Sequence, residues 1–247
     1  MVASGAVALG SVALGADPVP QTAHPVITEV LFDVPPGAGG DANRDGAREA
    51  NGDEFVELFN PTASAINLKG YRVVNRLAAG DRNARKGFMF TFPACELPPG
   101  GMVVLFNGAD SKVPGPVGTF AGAPAKGNPE FGGALVFVAG DKGKSGFKND
   151  GDCAVLEAPN GQALDVVVWG KPDPAAPEGA LRSETVLTKP KGSVQRMTAA
   201  GPLAVHSTLG AELFSPGTMP RTDGGGEKSG GEKGEPEKKK GGEKEKR

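Results

Sequence analysis

The chain has 247 residues, of which 39 are Gly and 22 Pro, a density of backbone punctuation that argues against long helices. Hydrophobic residues make up 38% and charged residues 23%, enough apolar material for one core of roughly 150–180 residues, with loops and tails left over. A net charge of −2 offers no basic field for a phosphate backbone, and two Cys and two His exclude a Cys-rich zinc module or any three-His site.

Residues 1–24 read as a leader and linker. Met1 to Ala16 carries only small and apolar side chains, the length of the apolar stretch of a secretory signal, although no Lys or Arg precedes it. A secreted or cell-surface location is therefore expected. No run of 18 apolar residues occurs, so no membrane-spanning helix is expected in the mature chain.

From residue 25 to 220 short apolar runs alternate with turn residues. Strands are expected at Val26–Phe32, Glu54–Phe59, Ile66–Val74, Met89–Phe92, Met102–Phe106, Leu135–Val138, Ala154–Ala158, Leu164–Trp169 and Val194–Met197. No window shows a sustained helical stripe, so the class is all-β, a β-sandwich with long loops. Asn160-Gly161 predicts a tight hairpin with positive φ angles, and Trp169 is expected to anchor a core edge. The segments Arg76–Gly87 and Ala109–Gly133 are read as long loops, and no helix is expected in the second, which is rich in Gly and Pro. Residues 221–247 form a Gly/Glu/Lys tail. Gly224–Arg247 holds eight basic and six acidic residues and nothing aliphatic or aromatic, so it is expected to be disordered.

The sharpest chemical pattern is Asp41-Ala42-Asn43-Arg44-Asp45-Gly46, the opening of a calcium loop. A hard cation needs six to eight oxygens, and alternate residues of a tight loop aim theirs at one point. Asp41, Asn43 and Asp45 would supply side-chain oxygens, Ala47 a carbonyl and Glu49 a direct or water-mediated ligand. Position 12 is Gly52, with Asp53 and Glu54 following, so the loop would be a structural calcium site between strands rather than an EF-hand. The alternative is a polar loop whose Asp, Asn and Gly only form turns, with Arg44 and Arg48 neutralising the acids.

Other constellations fail. Lys142-Gly143-Lys144-Ser145 lacks the first Gly and the helix of a phosphate loop. His24 lies in the linker, and His206 reads as a half-buried strand residue. No G-x-S-x-G elbow exists. Strand alternation puts Glu54 and Glu57 on opposite faces, so they cannot share acid–base work. In an exported chain Cys95 and Cys153 are expected to form one disulfide, with two buried thiols as the alternative.

The order of short motifs adds a family resemblance. Ile27-Thr28-Glu29-Val30, Glu54-Phe55-Val56-Glu57-Leu58-Phe59-Asn60, Leu68-Lys69-Gly70-Tyr71, Ser193-Val194-Gln195-Arg196 and Ser215-Pro216-Gly217-Thr218 follow as in a lamin-tail domain of the bacterial, exported kind, though Met219 departs from the last motif. The resemblance implies an immunoglobulin-like sandwich, no catalytic residues, and a scaffold, adhesion or binding module. The partner expected is a protein or polymer at the cell surface. The alternative is an accessory binding module for a secreted hydrolase or nuclease, or for an extracellular polymer.

Overall fold

A computed structural model describes residues 23–84, 87–108, 111–140, 146–170, 176–186 and 190–218. The apolar leader, the Lys142–Ser145 segment and the C-terminal Gly/Glu/Lys tail lie outside these residues.

Thirteen strands are present among the described residues: β1 (Val26–Leu31), β2 (Phe55–Phe59), β3 (Ile66–Asn67), β4 (Arg72–Asn75), β5 (Met89–Thr91), β6 (Glu96–Leu97), β7 (Met102–Phe106), β8 (Leu135–Val138), β9 (Gly151–Glu157), β10 (Ala163–Gly170), β11 (Arg182–Val186), β12 (Val194–Arg196) and β13 (Leu203–Val205). One sheet has the order β13-β12-β1-β2-β7-β8, the second β11-β10-β9-β4-β5, and β3 pairs with β6 alone. The architecture is an immunoglobulin-like β-sandwich. The single strand expected over Ile66–Val74 is two, because Gly70 turns the chain at φ 82° between them. Arg76–Gly80 forms one short helix (α1), capped by the Asn75 side chain accepting from Ala78 N, and Pro129–Phe131 forms a 3-10 turn; both fall in segments read as loops.

The β9–β10 hairpin forms at the expected place with a different turn. Only Gly161 has positive φ, and its N–H donates to Ala158 O. Pro159 sets the φ of the first central residue, which favours a turn followed by one left-handed glycine over the fully mirror-image turn.

Alternation along the strands sorts three apolar layers. Val56, Leu58, Val103 and Leu105 from the first sheet meet Val73, Leu156, Val167 and Trp169 from the second. Trp169 is fully buried and stacks on Phe32 with centroids 4.1 Å apart. The other face of the first sheet carries Phe55, Phe59, Val104 and Phe106, roofed by Phe131, Ala134 and the partly buried Phe214. The other face of the second sheet carries Val74, Cys153, Val155 and Val168. Cys95 packs against the inter-sheet core while Cys153 sits on this far face, and both are free thiols. The expected disulfide is not formed, because the sheet separates the two sulfurs.

In β1 the register to β2 shifts between Ile27 and Glu29, a β-bulge in which Thr28 is the extra residue. Ile27 N then donates across the sandwich to Asp165 Oδ2 at 2.8 Å. Arg196, whose side chain has no exposure, donates to Ile27 O at 2.7 Å and to Asp165 Oδ1 at 3.2 Å, and also pairs with Glu184. Removing one member of such a sealed pair leaves an unpaired buried charge. Arg196→Met is therefore expected to lower stability by about 3–5 kcal/mol, read as a drop in the urea midpoint at unchanged slope.

Candidate functional site

The Asp41–Asp53 loop closes on its own backbone. Asp41 accepts from Asp45 N at 3.2 Å and Gly46 N at 3.0 Å. Asn43 Oδ1 accepts from Asp45 N at 3.0 Å, and the two oxygens of Asp45 accept from Ala47 N at 3.0 Å and Lys112 N at 2.9 Å. Asp53 is fully buried and accepts from Asn43 N at 3.0 Å and Glu49 N at 2.6 Å. Burial raises its carboxyl above the ordinary value, offset in part by those N–H groups. Asp41, Asn43, Asp45 and Asp53 are thus gathered in one knot. Ala47 enters through its N–H and Glu49 through its N–H beside Gly52. Among the described residues no group of three or more His, Cys, Asp and Glu has metal-holding geometry. The two arginines turn away from the acids: Arg44 donates to Glu130 O and lies over the Phe131 ring, while Arg48 donates to Pro35 O and Val34 O.

The short motifs converge elsewhere, on the roofed face of the first sheet. Glu29 and Glu57 stand directly opposite each other in register, both with no exposure. Glu29 accepts from Ser193 Oγ at 2.5 Å and Ser215 N at 2.9 Å, with Ser215 Oγ at 3.2 Å. Glu57 accepts from Thr28 Oγ1 at 2.7 Å and Gly217 N at 2.7 Å. Burial raises both carboxyls, and the Glu29 charge adds to the rise at Glu57, which lies well above the usual range. Gly217 has φ 85°, and a Cβ there would meet Phe131 O at 2.2 Å, so only glycine fits at this point of the strap.

Beside the strap a cavity of about 410 Å³ is lined by Gln195, Met197, His206, Leu209 and Ser215 among others. His206 is buried and opens a 3-10 turn directly after β13, one step beyond the strand expected to hold it. Its Nε2 lies 2.8 Å from Ser215 Oγ, and its Nδ1 lies 3.0 Å from Glu212 O. That is nucleophile-to-base spacing, which sequence reasoning missed because the two residues are joined only by the strap's path. The N–H groups of Ser215 and Gly217 already donate to Glu29 and Glu57, so they are not aimed at a developing oxyanion.

The Lamin Tail Domain family model matches residues 18–171, more than half of the chain. The chain belongs to the lamin tail domain family. None of the curated proteins matches it. The family is one of non-enzymatic immunoglobulin-like domains. In this lamin tail domain the match ends at the close of β10, yet β12 pairs with β1 and the 213–217 strap covers Glu29 and Glu57. The folded unit therefore continues to residue 218.

Glu54 lies on the opposite face of its strand from Glu57, as alternation requires, and it is buried against Phe147 N at 3.1 Å and Asn107 Nδ2 at 3.0 Å. Burial chiefly pushes its carboxyl up to about 8, with Asp152 and Asp33 adding to the rise. In the unfolded chain it ionises near the ordinary glutamate value of 4.5. Between these values the folded state binds more protons at this site, so the contribution of Glu54 to stability is fully present below pH 4.5 and is lost as pH rises to about 8. Denaturant unfolding across this range is expected to show a smaller loss of stability with rising pH in Glu54→Gln than in wild type.

Proposed function

We propose that this lamin tail domain is an exported, non-catalytic scaffold or adhesion module that engages a protein or polymer at the cell surface. One observation carries the reading: the carboxylates and hydroxyls best placed for chemistry, Glu29, Glu57, Ser193 and Ser215, are bonded to one another and to the strap that seals them. Export is supported by the apolar Met1–Ala16 stretch. The purified chain is expected to bind a cell-surface fraction, or immobilised polysaccharide or DNA, saturably, with no turnover on ester, phosphodiester, glycoside and peptide panels. Turnover abolished by Ser215→Ala overturns this reading.

The same reading includes a structural calcium ion in the 41–53 loop, held by Asp41, Asn43, Asp45 and Asp53 with Ala47 O and Glu49. Its support is the direction of Arg44 and Arg48, which serve carbonyls and leave the acids without a cationic partner among the described residues. A carboxylate oxygen that accepts one N–H keeps a second lone pair for a cation. Calcium would draw together oxygens that now face the backbone, and would stabilise the fold by mass action. Added calcium is expected to raise the melting temperature, chelator to reverse it, and Asp41→Asn to abolish the response. Identical melting with calcium and with chelator removes the ion.

A further inference from the structure

The hydrogen-bond geometry at the strap fixes a proton count. Glu212 O can only accept, so His206 Nδ1 carries a proton. Ser215 Oγ stands between two acceptors, His206 Nε2 at 2.8 Å and Glu29 Oε2 at 3.2 Å, and it also accepts from Gln195 Nε2 at 2.9 Å. Its single hydroxyl proton serves one of those neighbours. The other contact requires a second proton, either on Glu29, donating to Oγ, or on His206 Nε2, donating to Oγ. Either placement gives each of these contacts a donor and an acceptor, so Glu29, Ser215 and His206 together hold one proton beyond the serine's own and that on His206 Nδ1.

Glu57 faces this chain from the neighbouring strand. The groups packed around the pair are Thr28 on β1, Glu57 on β2, Ser193 and Gln195 on β12, His206 after β13, and the strap residues Ser215 and Gly217. The nearby Arg196 is committed to Asp165, Glu184, Ile27 O and Gly201 O, so it does not balance a second anion here. Two ionised carboxylates side by side repel, and both hold the strap through single N–H groups.

We propose that Glu57 and the Glu29–Ser215–His206 chain form a proton-loaded clasp that fastens residues 213–217 over the outer face of the first sheet, and that loss of its protons at alkaline pH loosens the strap. Two protons leave to solvent, one from Glu57 and one from the Glu29–Ser215–His206 chain by way of His206 and the adjoining cavity, and two facing carboxylates remain. Because the folded clasp holds protons that the open strap would release, closure is favoured at low pH and lost as pH rises through the folded titration.

Amide hydrogen exchange of Ser215 and Gly217, corrected for the intrinsic pH dependence, tests the clasp on the intact protein. Protection at these two amides is expected to fall with rising pH by up to about tenfold per pH unit for each proton lost, more steeply than at amides of β9 and β10, which report the global stability that Glu54 also affects. Glu29→Gln places an amide donor towards Ser215 Oγ, and Glu57→Gln removes the second charge. The double variant is expected to keep strap protection constant with pH. Wild-type strap protection that is independent of pH, or that falls only together with β9 and β10, overturns the proposal. So does a double variant that folds, by an unchanged near-ultraviolet spectrum, and still loosens over the same pH range as wild type.

Discussion

One extra residue in the first strand sets the rest of the structure. With Thr28 inserted, Ile27 keeps its place opposite Leu58 while Glu29 comes to face Glu57. The bulge frees Ile27 N from the ladder and turns it across the sandwich, where the Asp165 carboxylate receives it. It also places the Ile27 carbonyl where the Arg196 guanidinium can reach it. Without the bulge the alternation of β1 would run unbroken, Glu29 would leave the roofed face, and the inter-sheet clamp would lose its backbone partner.

The clamp and the strap together explain why this sandwich has more layers than two. A sheet in a sandwich ordinarily gives its second face to water. Here the second face of the first sheet is as apolar as the core face, with Phe55, Phe59 and Phe106 on it, and it needs cover. The insertion through Phe131 and the later segment through Phe214 supply that cover from two well-separated parts of the chain. They meet where Gly217 passes Phe131 and Gly132 with no room for a side chain. The burial of Glu29 and Glu57 is a consequence: they belong to a surface that would be solvent-facing in a plainer sandwich.

Legibility in the sequence follows from range. The strands of four or more residues with alternating character were readable because pleat and burial act within a few residues; Met102–Phe106 and Leu135–Val138 stand as expected. So was the two-faced nature of Phe55–Phe59, since Val56 and Leu58 alternate with larger groups. Arg182–Val186 was not readable, because its Arg-Ser-Glu-Thr-Val sequence is polar and its place as an edge strand depends on β10 beside it. The pairing of Ser215 with Glu29 spans 186 residues, and nothing local marks it. A signal was nonetheless present, in that Glu29 and Glu57 each interrupt an apolar strand. The acidic loop shows the opposite failure. Its spacing was plain, but spacing alone does not say whether an oxygen faces a cation or an N–H.

The buried acids follow two electrostatic designs. Asp165 is sealed with a guanidinium at hydrogen-bond distance, so its charge has a partner in a low-dielectric place. Glu29, Glu54 and Glu57 have N–H and hydroxyl donors, and at Glu54 and Glu57 nearby acids push the titration further up. A guanidinium partner holds at any pH at which the carboxylate is ionised. A set of neutral donors favours a carboxyl that keeps its proton. The Asp165–Arg196 joint is built on the first design, the strap and the Glu54 site on the second, so alkaline conditions act on the roof and at Glu54 while the Asp165–Arg196 pair holds. The roof is the layer on which His206 and its cavity open, which makes the covering segments the adjustable part of the domain and the two sheets its fixed frame.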